Sequence, residues 1–331
     1  MFEKDSSVLI LGSGGMLGHA LVDSLLEHGY TNIHGADRKP CPEYENMPCV
    51  HQHVVDLCSE RETQDLFLEA APKCVFFLAA IAGGIQFRKE YAESILQKNL
   101  QMITNVITIS SHSDVDTVLN VSSALVYPES AEFPLKESEI THVDLDTIDT
   151  PYALAKGVGI QMARYCARRC NIRFITAIPC NFFGLFAPFV GNQAGVVCSL
   201  IDRVHKAKEE GDEEVVVWGS GNACRELLDS RDVADAILTI VESDTKYDTI
   251  NIGRGSEFTI REVAECVKEV TGFPGKLVFD ATKPEGRLHT NLDTERLDET
   301  GWKASRTLRE SVSDAYDYYL KFVAKCPEDT A

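Results

Sequence analysis

Short, almost wholly apolar stretches alternate with amphipathic ones through the first half of the chain. Residues 7–11, 74–79 and 117–121 are brief runs rich in Val, Leu, Ile and Phe. Such runs are too short for an ordinary helix and suit strands buried on both faces. Residues 32–36, 51–55 and 173–178 read as three further strands. Between them, residues 16–29, 61–70, 94–111 and 152–170 repeat apolar positions at helical spacing, the first closing at Gly29. This alternation predicts an α/β fold: a Rossmann-type, doubly wound parallel sheet covered by helices on both faces.

After Gly184 the rhythm changes. Residues 194–209, 231–243, 259–271 and 307–324 read as helices. Residues 214–218 form a strand that runs into the Gly219-Ser220-Gly221 turn, and 276–279 another. The pattern predicts a mainly cofactor-binding domain over 1–184 and a smaller α/β substrate domain over 185–331. The chain crosses between the two, with the ligand in the cleft they share.

Composition narrows the functional classes. With 331 residues and 44% hydrophobic positions, the chain can build a sizeable core. Its formal charge of −19 disfavours nucleic acid as a partner. No apolar stretch approaches the ~20 residues needed to span a bilayer, so no membrane partner is expected. The charged start, Glu3-Lys4-Asp5, differs from a signal peptide. Eleven cysteines without a regular framework read as reduced thiols of a cytoplasmic protein. His51, His53 and Asp56 could suggest a metal site. They lie on an alternating strand, however, so no metal is expected.

Two motifs carry chemistry. Gly12, Gly15 and Gly18 fall between the first strand and the first helix. Glycines there allow a tight turn and close approach of a pyrophosphate to the free N–H groups of Met16, Leu17 and their neighbours. Asp37 ends the second strand, where a carboxylate can accept from an adenosine ribose diol. That favours NAD(H); Arg38 and Lys39, next in line, leave NADP(H) open. Asp56 and Leu57 end the third strand, where the adenine edge would lie. The second motif is Tyr152-Ala-Leu-Ala-Lys156. Its spacing puts a phenol and an ammonium on one helical face. A free tyrosine has a pKa of ~10, and a nearby ammonium is expected to lower it.

The glycine loop, Val121-Ser122-Ser123 and Tyr152-x-x-x-Lys156 together resemble the extended short-chain dehydrogenase/reductase superfamily. Leu78-Ala79-Ala80-Ile81-Ala82-Gly83-Gly84-Ile85, Tyr127-Pro128, Ile178-Pro179-Cys180-Asn181, Val217-Trp218-Gly219-Ser220-Gly221, Arg225-Glu226, Asn251-Ile252-Gly253-Arg254-Gly255 and Lys283-Pro284-Glu285-Gly286 occur in order. This series is similar to the GDP-L-fucose synthase family along nearly the whole chain. The resemblance implies that Ser123 hydrogen-bonds the reacting sugar oxygen, that Tyr152 gives it a proton, and that Lys156 holds the nicotinamide ribose. It places Ala79, Ala80, Pro179 and Asn181 by the cofactor. Gly83, Gly84 and Asn181 fall by the sugar, and Trp218, Arg225 and Lys283 by the nucleotide diphosphate. Trp218 on its own could equally be a core aromatic. A homodimer through the helices near 94–111 and 152–170 is also implied.

The resemblance breaks at two positions. The family epimerises C3 and C5 of a 4-keto sugar with a cysteine two residues after the serine and a histidine beyond the Asn-x-x-Gly turn. Here Leu125 and Gly195 occupy those places, and neither can move a proton. The expectation is an NAD(P)H-dependent C4 keto-reductase of a nucleotide-diphosphate sugar, GDP-linked by resemblance, that does not epimerise. Three alternatives stand beside it. The first is an epimerase/reductase with acid/base groups relocated to Cys180, His205 or His289. The second is a 4-epimerase or 4-dehydrogenase that uses NAD, and the third a cofactor-binding regulatory subunit without activity.

Overall fold

The computed structural model describes residues 3–140, 142–145, 147, 149–283 and 288–325. Its strands are β1 (Val8–Leu11), β2 (Ile33–Asp37), β3 (Val50–Val54), β4 (Cys74–Phe77), β5 (Thr117–Val121), β6 (Arg173–Pro179), β7 (Asn181–Phe183), β8 (Glu214–Trp218), β9 (Cys224–Arg225), β10 (Leu227–Asp229), β11 (Thr249–Ile252), β12 (Phe258–Thr259) and β13 (Lys276–Asp280). Its helices are α1 (Met16–Glu27), α2 (Glu60–Ala70), α3 (Ile85–Glu90), α4 (Ala92–Ser111), α5 (Thr150–Ala167), α6 (Val196–Glu210), α7 (Ser230–Glu242), α8 (Ile260–Thr271), α9 (Glu295–Asp298) and α10 (Leu308–Phe322).

Seven strands form one parallel sheet in the order β11-β6-β5-β4-β1-β2-β3. The order reverses between β1 and β4, and in such sheets the ligand crevice lies outside the carboxyl ends of the strands at that reversal. Strands β1 and β4 are buried at every position, which explains their continuous apolar runs. One sheet face packs against α1 and α7, with Leu21, Leu25, Ile237 and Ile240 among the fully buried side chains. The other packs against α2, α4 and α5 through Leu66, Ile103, Val106 and Ala163. The N-terminal stretch does not complete this sheet. Its seventh strand, β11, comes from beyond residue 184, as does the covering helix α7.

A separate apolar cluster joins α6, α8 and α10 to the two-stranded sheet β8–β13. Helix α8 starts with a reciprocal cap between Thr259 and Glu262 and ends at Gly272, which adopts φ +67°. Among the described residues, no helix is long and apolar enough to cross a membrane. The ten described cysteines are free thiols.

Candidate active site

The glycine loop is built to bring a ligand against bare backbone. Gly12 takes φ +94°, and a Cβ there would meet the Ala79 nitrogen at 2.8 Å. At Gly18 a Cβ would come within 2.2 Å of the Gly12 carbonyl oxygen, so only glycine lets α1 pack this close to the loop. No side chain caps the start of α1 at Gly15. The first-turn N–H groups around Met16 and Leu17 are therefore left for an anion. The loop folds toward the end of β2, where Asp37 accepts from the Gly14 N–H at 3.2 Å and from the Arg38 N–H at 2.6 Å. Arg38 and Lys39 are exposed just beyond it. The third strand is followed by Asp56, which accepts from the Cys58 N–H, and by Leu57, whose carbonyl accepts from Asn105. Ala79 donates its N–H to the Leu11 carbonyl, and Ala80 is exposed beside it. These features fit a dinucleotide lying across the carboxyl ends of β1, β2 and β4.

Ser123 follows β5 and starts a short 3-10 turn, accepting from the Leu125 N–H at 3.3 Å. Helix α5 packs against that turn. Pro151 in its first turn fits a helix start, because the missing N–H costs nothing there. Lys156 is 2% exposed and donates from Nζ to the Val121 carbonyl at 2.8 Å, which pins the helix to the end of β5. Lys156 is thereby tied to the end of the strand that Ser123 follows, with Tyr152 one helical turn before it. Pro179 and Asn181 flank the end of β6, with Asn181 exposed.

The electrostatics depart from the expected pairing. Burial pushes the Tyr152 hydroxyl up to about 12, and the charge that partly offsets this is Arg88 rather than Lys156. Burial also brings Lys156 down to about 8. Its ammonium lies 5.8 Å from the Tyr152 ring centroid, with Val121 as its hydrogen-bond partner. Desolvation therefore outweighs the attraction that the Tyr-x-x-x-Lys spacing suggests.

Arg88 is the participant that sequence reasoning missed. It donates from a terminal guanidinium nitrogen to the Gly83 carbonyl at 2.7 Å, and its Nε lies 2.7 Å from Asp149 at the head of α5. Gly84 donates to the Asn192 carbonyl at 3.1 Å, and a Cβ at Gly84 would meet that oxygen at 2.8 Å. The 83–84 loop, the start of α5 and the 191–195 segment are thereby tied together. A cation one helical turn beyond a Gly-Gly pair was the available signal, but its partner Asp149 is distant in sequence.

The two positions at which the resemblance breaks carry no group that can move a proton. Leu125 is a half-buried hydrocarbon. Gly195 precedes α6, and open space surrounds the place its side chain would take. Cys180 is buried, and desolvation pushes its thiol well above the ordinary range. His205 is engaged with the Tyr316 hydroxyl within the α6–α10 packing, and His289 with Glu257.

The outer residues spread over the smaller region. Trp218, 59% exposed, ends β8 and pairs in register with Asp280 of β13, so it is not a core aromatic. Lys283 follows β13 and is exposed; Pro284, Glu285 and Gly286 lie outside the described residues. Arg225 sits in β9, paired with Phe258 of β12. The next residue, Glu226, is fully buried and accepts from the N–H groups of Arg254, Gly255 and Leu292. Tyr127 donates to Asn251 at 2.6 Å. Several motif residues are thus structural ties that hold the site walls. His53 of β3 hydrogen-bonds His34 of the neighbouring β2 at 2.9 Å.

Residues 8–253 match the NAD dependent epimerase/dehydratase family, and the chain belongs to it. It is 35% identical over 324 residues to GDP-L-fucose synthase 1 of Arabidopsis thaliana, covering 98% of this chain and 96% of that protein. Two solved structures from Campylobacter jejuni are similar throughout. A GDP-mannoheptose C4 reductase with NADP bound is 28% identical, covers 97% of this chain and 100% of its own, and superposes with TM-score 0.80. A GDP-6-OMe-4-keto-L-xylo-heptose reductase is 26% identical, covers 97% and 99%, and superposes with TM-score 0.83. The chain is therefore an NAD(P)-dependent enzyme of the extended short-chain dehydrogenase/reductase type that acts on a nucleotide sugar.

Proposed function

We propose that the enzyme reduces the C4 ketone of a GDP-linked 4-keto sugar and leaves C3 and C5 untouched. The observation that carries this reading is an intact reductase set beside an absent epimerase set. Ser123 follows the strand end to which Lys156 is tied, with Tyr152 one turn before Lys156, while Leu125 and Gly195 stand where the resemblance expects proton-moving groups. The buried Cys180 thiol and the engaged His205 offer no replacement. Two relatives of known structure carry C4 or keto-sugar reductase names, which supports the same reading.

Tyr152 is suited to donating. A phenol held protonated to about pH 12 is a reservoir of the proton that the new C4 hydroxyl needs. Ser123 donates a hydrogen bond to the same oxygen and orients it. Lys156, fixed by Val121, can hold the ribose hydroxyls, and the positive charge that favours the phenolate left behind comes from Arg88. The bound nicotinamide supplies the hydride. Arg88 steadies the head of α5 through Asp149 and adds charge toward Tyr152. Asp37 favours NADH over NADPH, since a 2′-phosphate beside its carboxylate would be repelled. Trp218, Arg225 and Lys283 are assigned to the nucleotide diphosphate; the guanidinium fork of Arg225 matches phosphate oxygens.

The test is to give the enzyme a GDP-4-keto-6-deoxy sugar in deuterated water, with NADH in one arm and NADPH in the other. Oxidised cofactor and a C4 alcohol should accumulate, faster with NADH, with no deuterium at C3 or C5. Enzyme-dependent deuterium at either carbon would overturn the reading. Conversion without net cofactor oxidation would point instead to a 4-epimerase that retains its NAD.

A further inference from the structure

We propose that His19, Cys41 and Glu43 form a binding site for a divalent transition-metal ion, zinc by its ligand set. His19 lies in α1, one turn beyond Gly15. Cys41 and Glu43 lie in the segment that follows Asp37, Arg38 and Lys39. One ligand atom from each of the three falls within 4.8 Å of the others. His19 and Cys41 are 5% and 7% exposed, and Glu43 reaches the site from the surface.

Hydrogen bonding fixes how the site presents itself. The Tyr44 hydroxyl donates its one proton to the Ser13 carbonyl at 2.8 Å. It also lies 3.1 Å from His19 Nδ1, so it can only accept there, and Nδ1 must carry the ring proton. That leaves a lone pair on Nε2, which faces Cys41 Sγ at 3.5 Å. The same sulfur lies 3.1 Å from a Glu43 carboxylate oxygen. Two acceptors therefore share one thiol proton. A cation would satisfy both and the sulfur at once.

The dimensions suit a tetrahedral ion. Zinc–nitrogen bonds of about 2.05 Å and zinc–sulfur bonds of about 2.3 Å at tetrahedral angles put nitrogen and sulfur about 3.5 Å apart. The His19–Cys41 separation already has that value. The sulfur–oxygen gap needs to open by about 0.4 Å, which exposed Glu43 can supply by rotation. The Tyr44 contact on Nδ1 is the kind of outer partner that sets the tautomer of a metal-bound histidine. Phe186 stacks on the His19 ring with centroids 3.6 Å apart and shields one side. On binding, the thiol proton leaves to solvent, and a water beside Glu43 completes the four ligands. Nothing in the spacing His19…Cys41-Pro-Glu43 announces such a site, which depends on α1 meeting the loop after β2.

The ion would staple the helix behind the glycine loop to the segment that flanks the adenosine end of the cofactor. The proposal does not rest on the sugar reading; it concerns metal content. The purified chain is loaded with zinc, dialysed and analysed for metal per chain, and separately titrated with cobalt(II). One zinc per chain is expected, with a thiolate-to-cobalt absorption band. Cys41→Ser should lose the band and His19→Gln the stoichiometric zinc. Cys224→Ser, at the other described Cys/His/Glu grouping, should keep both. No retained zinc and no thiolate band in the unmodified protein would overturn the proposal whether or not the variants fold. An unchanged band in Cys41→Ser, or loss of the band in Cys224→Ser, would overturn it as well.

Discussion

Burial drives the proton affinities of Tyr152 and Lys156 in opposite directions, and the reaction depends on both. The phenol stays protonated through the physiological range, so its ionisation does not limit reduction at neutral pH. Lys156 is the group that titrates there. Its folded value of about 8 means that the charged form dominates below pH 8 and the neutral form above it. If the ammonium is what supports proton donation, kcat/KM for reduction falls as pH rises through about 8. A profile measured from pH 6 to 10 checks this; a flat profile across that span would remove Lys156 from the mechanism. Tyr152→Phe removes the proton donor and should lower turnover by roughly 10²–10⁴-fold. Cofactor binding, followed by fluorescence or calorimetry, should be little changed. Turnover close to that of the parent enzyme would reassign the donor.

At the scale of elements, long periodic segments were legible and short paired ones were not. Helices α1, α4, α5 and α8 and the six strands of the central sheet other than β11 follow from hydrophobic spacing, because each buries a whole face or stripe. Strands β9, β10 and β12 have two or three residues each, too few for any period to show. Strand β11 escaped for another reason. Its Asn251 looks like a turn residue in sequence, yet it is fully buried and bonded to Tyr127, Glu137, Leu135 and Asp293. The site shows the same division. The glycine loop, Ser123, Tyr152 and Lys156 carry local signatures, whereas Arg88 and the His19–Cys41–Glu43 grouping depend on contacts between distant segments. Glu226 is the sharpest case of a tertiary tie, since its carboxylate holds the 254–255 turn and Leu292 together. Glu226→Ala would strand the buried Leu292 N–H and take the acceptor from the less buried Arg254 and Gly255 N–H groups, and should cost about 1–3 kcal/mol. Glu226→Gln, with one acceptor left, should fall between. Urea unfolding midpoints of the two variants measure the difference, and a loss under about 1 kcal/mol in the alanine variant would refute the tie.

For the whole molecule, the outward sides of α4 and α5 raise the question of assembly. These helices pack side by side on one face of the sheet. Their inward side chains are buried, but Leu96, Leu100 and Ile109 of α4 and Met162 and Cys166 of α5 remain only partly covered. Tyr165 is 61% exposed. Apolar side chains left half-covered on two adjacent helices suit a second pair of the same kind, and a two-fold axis would bring such a pair without needing any other surface. A dimer through α4 and α5 would have a direct consequence for catalysis, because α5 also carries Tyr152 and Lys156. Tightening that helix against a partner would steady the phenol over the sugar. Light scattering coupled to size exclusion should give a mass near twice 36.6 kDa. Replacing Leu100 and Met162 with glutamate should return the mass to one chain and lower turnover, while the sheet stays folded by circular dichroism. A dimer that survives both substitutions would place the interface elsewhere, and a monomeric parent enzyme would show that α5 is held by its own chain alone.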